Sequence, residues 1–232
     1  RSKQDYMIDL VSVENMRLSD QATIASGVPG AVLMERAARG IYLSCDKWKD
    51  AKSVCIVTGS GNNGGDGYAL ALILAENNIP VKILSLSDKS SGDAGYYRDQ
   101  CIASGITITP YEEGATPDCD IIVDCLLGTG FRGAPRDNYA RAITMINELH
   151  DKGCYVLSAD INSGMNGDTG EFDCCVMSDI TVSIGQLKKG QIAPGALSAA
   201  GSITVAYIGI RPVTAEDQVD ESYFGIKCIC ID

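Results

Sequence analysis

Short, unbroken apolar runs alternate along this chain with longer stretches whose apolar residues recur every third or fourth position. Val54-Cys55-Ile56-Val57 and Ile121-Ile122-Val123 show no polar alternation, the pattern of strands buried on both faces. Runs of this kind place strands near residues 53–58, 81–86, 106–109, 120–127, 154–160, 179–185 and 202–208. Helical periodicity covers roughly 66–78, 91–104 and 136–151. Two further helices precede the first strand. One runs from Val13 to Ala25, with Ser12 as N-cap and Gly27 as stop; the other runs from about Gly30 to Cys45, after Pro29. On the second, Leu33, Ala37, Gly40, Ile41 and Ser44 share a face of small and apolar residues, which predicts a core-facing stripe or, alternatively, a subunit contact.

Such alternation predicts an α/β fold with a mostly parallel central sheet covered on both faces. Right-handed crossovers bring the loops after successive strands to one sheet edge. If the first five strands lie in the order 3-2-1-4-5, the first and fourth are neighbours at the switch point, and the loops leaving them converge there. With 232 residues and no linker-like stretch, residues 1–232 are expected to form a single domain.

Charge narrows the partners. A formal net charge of −11 argues against a nucleic-acid or anionic-membrane surface, so any phosphate ligand must be held by local geometry. No apolar run approaches the ~18 residues of a spanning helix, and Arg1-Ser2-Lys3-Gln4-Asp5 carries no signal-peptide core. The sequence therefore reads as a soluble, cytoplasmic protein, and the missing initiator Met as a sign of a processed or trimmed chain. Ten cysteines are scattered without a C-x-x-C pair and with only His150 to accompany them, which predicts reduced core thiols rather than structural zinc. Cys174-Cys175 and Cys228-Ile229-Cys230 fit no such pattern. His150, closing a helical stretch, reads as a solvated or dipole-complementing residue.

The chemistry concentrates in three stretches. Gly59-Ser60-Gly61-Asn62-Asn63-Gly64-Gly65-Asp66-Gly67 follows the first strand and opens a helix, where backbone N–H groups can meet an anion. Asp66 complicates a phosphate reading: its carboxylate is either a helix N-cap or a ligand-facing group. The fourth strand runs from Asp124 into Gly128-Thr129-Gly130-Phe131-Arg132-Gly133, which offers N–H donors, a hydroxyl and a guanidinium suited to phosphate. The fifth strand ends at Asp160, which is placed for general acid/base work, followed by Ile161-Asn162-Ser163-Gly164. Asn63, Asp124 and Ser163 add hard oxygen donors around the same crevice. Their spacing leaves potassium, magnesium and no cation equally open. The chain has neither G-K-[ST] after its glycine loop nor a G-x-S-x-G elbow, which sets aside a Walker-type nucleotidase and a serine hydrolase.

Taken together, Met16-Arg17-Leu18-Ser19-Asp20, Leu33-Met34-Glu35-Arg36-Ala37-Ala38, Asn62-Asn63-Gly64-Gly65-Asp66-Gly67, Asp124-Cys125-Leu126-Leu127-Gly128-Thr129-Gly130 and Asp160-Ile161-Asn162-Ser163-Gly164 are ordered motifs spanning nearly the whole chain. They resemble the NAD(P)H-hydrate epimerases, the YjeF N-terminal domain family. The resemblance implies a Rossmann-like three-layer α/β/α sandwich, often a homodimer. Enzymes like these interconvert the R and S forms of NADHX and NADPHX, hydrated at nicotinamide C6, so that a partner dehydratase, separate or fused, can repair both. It further implies substrate contacts from Asn62, Asn63, Gly64, Gly65, Asp66, Gly128, Thr129, Gly130, Phe131, Arg132, Gly133 and Ala134. Asp160 would be the catalytic group facing the ring, and Asn63, Asp124 and Ser163 would bind K+. Lys188 matches a lysine often found near the last strands. Asn162 departs from the family, which usually carries proline there, and this questions the rigidity of the turn. Two rival readings are an oxidoreductase using intact NAD(P), with Asp88 on a ribose, and a non-catalytic interaction scaffold on the same fold.

Overall fold

The computed structural model describes residues 7–232; the segment Arg1 to Asp5, read above for targeting signals, lies outside them. The chain opens with β1 (Met7–Val11), α1 (Val13–Ala25) and α2 (Gly30–Leu43). It continues through β2 (Val54–Thr58), α3 (Asn62–Glu76), β3 (Val81–Ser85), α4 (Gly92–Ala103), β4 (Thr107–Pro110), β5 (Ile121–Cys125), α5 (Asp137–Asp151) and β6 (Tyr155–Ala159). The last third holds β7 (Ile180–Ile184), β8 (Leu187–Lys188), α6 (Pro194–Ala200), β9 (Ser202–Tyr207), β10 (Asp217–Asp220), α7 (Glu221–Phe224) and β11 (Lys227–Cys230).

The central sheet has the order β11-β9-β7-β6-β5-β2-β3-β4, and every neighbouring pair is parallel. Its first five strands therefore follow the predicted winding, with β2 beside β5 at the switch point. Alternate side chains of each strand serve opposite faces. Val54 and Ile56 of β2 and Ile121 and Val123 of β5 pack with Ile41, Tyr68 and Leu70 of α2 and α3. Cys55, Val57 and Ile122 point the other way, against Ala142, Ile143 and Ile146 of α5. The result is a three-layer α/β/α sandwich, and its burial on both faces is why these strands read as unbroken apolar runs. The small-residue stripe on α2 is spent in this core: Leu33, Ala37, Gly40 and Ile41 are buried, and a Cβ on Gly40 would lie 2.7 Å from that of Ala206.

Two features depart from the periodicity. A second, three-stranded sheet, β10-β1-β8, was not legible: β1 is five residues long, β8 two, and Asp217-Gln218-Val219-Asp220 of β10 is polar. Helix α3 also begins four residues earlier than predicted, so Asn62 to Asp66 form its opening turns and not a loop. Gly61 is the N-cap residue, which removes the N-cap reading of Asp66. The glycines that looked like loop formers are there for close approach. A Cβ on Gly64 would sit 2.2 Å from the Gly59 carbonyl oxygen, and one on Gly67 would lie 2.9 Å from Ile56. Among the described residues, no helix is long and apolar enough to cross a membrane.

Candidate active site

Register brings the ends of β2, β5 and β6 level, with Thr58 opposite Cys125 and Asp124 opposite Ser158. At that edge a cavity of about 270 Å³ opens between the sheet and the α1–α2 pair. Of the residues singled out from the sequence, Asn62, Asp66, Thr129, Gly130 and Asp160 line it. Met16, Leu33, Met34 and Ile210 form its apolar side, and Asp20 and Asp93 add further carboxyl groups.

Asp160 sits at the exit of β6 in the left-handed region, with φ of 70°, a conformation strained for a residue with a side chain. Its surroundings hold it there. Its N–H donates to Val182 O (2.7 Å) and its carbonyl accepts from Gln191 Nε2 (2.9 Å). Its carboxyl Oδ1 accepts from the Ile184 N–H (3.2 Å) and from Lys188 Nζ. Lys188 is fully buried, and its ammonium also donates to Ser183 Oγ (3.2 Å) and Ile184 O (2.8 Å). Gln191 Oε1 in turn accepts from Ser183 Oγ and the Lys188 N–H, closing the network. Neither Gln191 nor this use of Lys188 was visible in the sequence. The available signal was a lysine at the end of the mixed segment Ile184-Gly185-Gln186-Leu187.

Asp124 is completely buried beneath the floor of the site. Its carboxylate accepts from the Ser163 N–H (3.0 Å) and hydroxyl, from Ser158 Oγ (2.9 Å) and from the Leu126 N–H (3.3 Å). Burial pushes its pKa above the usual carboxylate range, against the pull of those bonds. Ser163 Oγ accepts from the Leu127 N–H, so the loops leaving β5 and β6 are stitched together. Asn63 reaches across from α3 with Nδ2 donating to Ala159 O (2.9 Å). Its Oδ1 is buried and has no hydrogen-bond partner among the described residues. The bare amide oxygen is a donor that suits a hard cation, while the Asp124 carboxylate and Ser163 hydroxyl are hydrogen-bonded to each other.

Gly64 and Gly65 are buried inside α3. Gly128 lies where a Cβ would be 3.5 Å from Asn63 Cβ and 3.9 Å from Asp160 Oδ2. Arg132, Gly133 and Ala134 are exposed on the loop beyond the cavity wall, and Phe131 is half-buried there. Asn162, in the position expected to weaken the turn, is buried and pinned instead: its amide donates to Val176 O (2.8 Å) and Ser178 Oγ (2.9 Å) and accepts from Thr181 Oγ1. Asp168 accepts from the Val13 N–H (2.8 Å), fixing the start of α1 over the site. His150 pairs with Asp179 (3.2 Å), a residue that precedes β7 and so lies at the opposite edge of the sheet. All ten cysteines are free thiols, and burial pushes Cys101 up to about 12.

The sequence profile of the YjeF-related protein N-terminus matches residues 30–190, an interval that contains the cavity's acidic residues from α3, α4 and β6 and the Asp124–Ser163 stitch. The chain belongs to this family. An NAD(P)H-hydrate epimerase of Rhodopirellula baltica is 34% identical over 190 residues, covering 79% of this chain and 77% of its own length. One from Limosilactobacillus reuteri is 35% identical over 205 residues, covering 85% and 94%. A bifunctional NAD(P)H-hydrate repair enzyme Nnr of Coxiella burnetii is 31% identical over 208 residues, which make up 88% of this chain and 42% of that one. The chain thus spans about two fifths of the bifunctional YjeF relatives it matches. The YjeF-type sandwich also superposes on the crystal structure of the yeast protein ynu0 with a TM-score of 0.74 at 16% identity, over 92% of this chain and all of that one, a likeness of fold.

Proposed function

We propose that this chain is an isomerase that interconverts the R and S hydrates of NADH and NADPH at nicotinamide C6, a repair step that supplies a dehydratase with the epimer it accepts. The observation that carries this reading is Asp160: a carboxyl group on the cavity wall, held in a left-handed turn at the switch point and bonded to a buried lysine. C6 of the hydrate carries a hydroxyl beside the ring nitrogen; as that hydroxyl loses its proton its oxygen can form C6=O while the C6–N1 pair leaves to nitrogen, which opens the ring and makes the carbon planar. Asp160 takes and returns the proton of that hydroxyl. The apolar side formed by Met16, Leu33 and Ile210 covers the ring and excludes water from it. The first-turn N–H groups of α3 and the loop from Gly128 to Ala134, with Arg132, hold the phosphates.

Potassium is the cation we assign to Asn63, Asp124 and Ser163. Bound there, it would supply a fixed positive charge that steadies the loops and the charge developing on the substrate. Names of relatives support the activity, and the bifunctional ones support a dehydratase partner, fused or separate. A homodimer working in the cytoplasm completes the reading, and ten free thiols suit a reducing compartment. The test follows R/S ratios of purified NADPHX by chromatography with and without protein. Equilibration no faster than in buffer refutes the function.

A further inference from the structure

Asp20 on α1 and Asp66 on α3 share the cavity wall with Asp160. We propose that Asp66 is the acid partner of Asp160: it protonates the ring nitrogen while Asp160 withdraws the C6 hydroxyl proton, so that the epimers interconvert by opening and reclosing the ring. This assignment rests on the epimerase reading and deepens it.

The two carboxyl groups are made unlike by what surrounds them. Asp160 accepts from the Ile184 N–H and from Lys188. The Asp66 carboxyl makes no hydrogen bond or ion pair with another described residue. All three Lys188 protons are engaged, on Asp160, Ser183 and Ile184. Arg17, the cation on the wall, is paired with Glu14, and Asp93 adds a further negative charge from α4. An unpartnered acid facing carboxylates retains its proton. Burial first, then the charges of Asp160 and Asp20, push Asp66 well above the usual carboxylate range against the pull of Lys188. Asp66 is favoured over Asp20 by topology: α3 leaves β2, so Asp66 and Asp160 approach the cavity from the same sheet edge, whereas α1 covers it from the apolar side. An acid without a partner and a lysine-paired carboxyl on one cavity wall form an acid–base couple.

The step balances without a co-reactant. Asp160 takes the hydroxyl proton, and the O–H electron pair becomes the second bond of C6=O. The C6–N1 bond breaks with its pair moving to nitrogen, where Asp66 supplies a proton. Rotation about C5–C6 turns the other aldehyde face to nitrogen. Reversal of the same transfers then closes the ring and returns both protons.

The experiment compares wild type, Asp66→Asn and Asp66→Glu in NADPHX epimer exchange, with thermal melting measured on each. Asp66→Asn is expected to slow exchange at saturating NADPHX about a hundredfold or more, the worth of a positioned proton donor, with Tm unchanged. Asp66→Glu should restore part of the rate. In heavy-oxygen water the exchanged hydrate should keep its original C6 oxygen. Wild-type exchange rates in Asp66→Asn, a lowered Tm in that variant, or incorporation of solvent oxygen at each turnover would overturn the assignment. If wild type itself exchanges nothing, the epimerase reading falls, and this assignment with it. Intact wild-type exchange beside an unaffected Asp66→Asn removes the acid role alone.

Discussion

Lys188 is completely buried, and its ammonium donates to the Asp160 carboxyl at the exit of β6. The two charges stand or fall together. Removing one member of a buried pair costs about 3–5 kcal/mol because the other is left uncompensated, whereas replacing both is often near neutral. Lys188→Met and Asp160→Asn should therefore each lower the urea-unfolding free energy, and the double variant should recover most of the loss while remaining inactive. Strictly additive losses would show that the pair is not a coupled unit.

Asn63 supplies the test of the cation. Its buried Oδ1 lacks a partner among the described residues, so an ion bound there should raise the melting temperature by mass action. Potassium should stabilise wild type more than an equal concentration of tetramethylammonium, and Asn63→Leu should abolish that difference. Equal melting temperatures in both salts would remove the cation from the account.

Glu216 ties the C-terminal tail to the mouth of the site by accepting from Lys189 Nζ (2.8 Å), the Ser12 N–H (2.8 Å) and Asn15 Nδ2 (2.7 Å). The Lys189 hydrogen bond first, then those from Ser12 and Asn15, hold its carboxyl down from 4.5 to about 2. A lowered folded-state pKa contributes stability that is fully present above 4.5 and is lost as pH falls toward 2. The stability difference between wild type and Glu216→Gln, read from urea unfolding, should be constant near neutrality and shrink across that interval. A difference that persists unchanged at the acid end would contradict the tie.

Legibility in the sequence tracked burial. Strands buried on both faces, such as Val54–Thr58 and Ile121–Cys125, announce themselves because no polar residue interrupts them. Loop convergence then followed from winding rules, and with it the neighbourhood of Asp66, Thr129 and Asp160. The minor sheet escaped because β8 pairs over two residues and β10 is polar, so register and not pattern defines it. The start of α3 escaped because glycine is read as a breaker, while here Gly64 and Gly67 are required for backbone and helix–sheet contact. The Lys188–Gln191–Asp160 network was invisible for another reason: a lysine is expected on the surface, and only the three-dimensional partners reveal why this one is not.

The central claim, that Asp160 moves the proton that lets the two epimers interconvert, is tested most directly by the R/S equilibration rate of purified NADPHX with wild type and with Asp160→Asn. The account predicts rapid equilibration with wild type, loss of it by about a hundredfold or more in the variant, and NADP binding retained in both. Equal rates in the two proteins would contradict it.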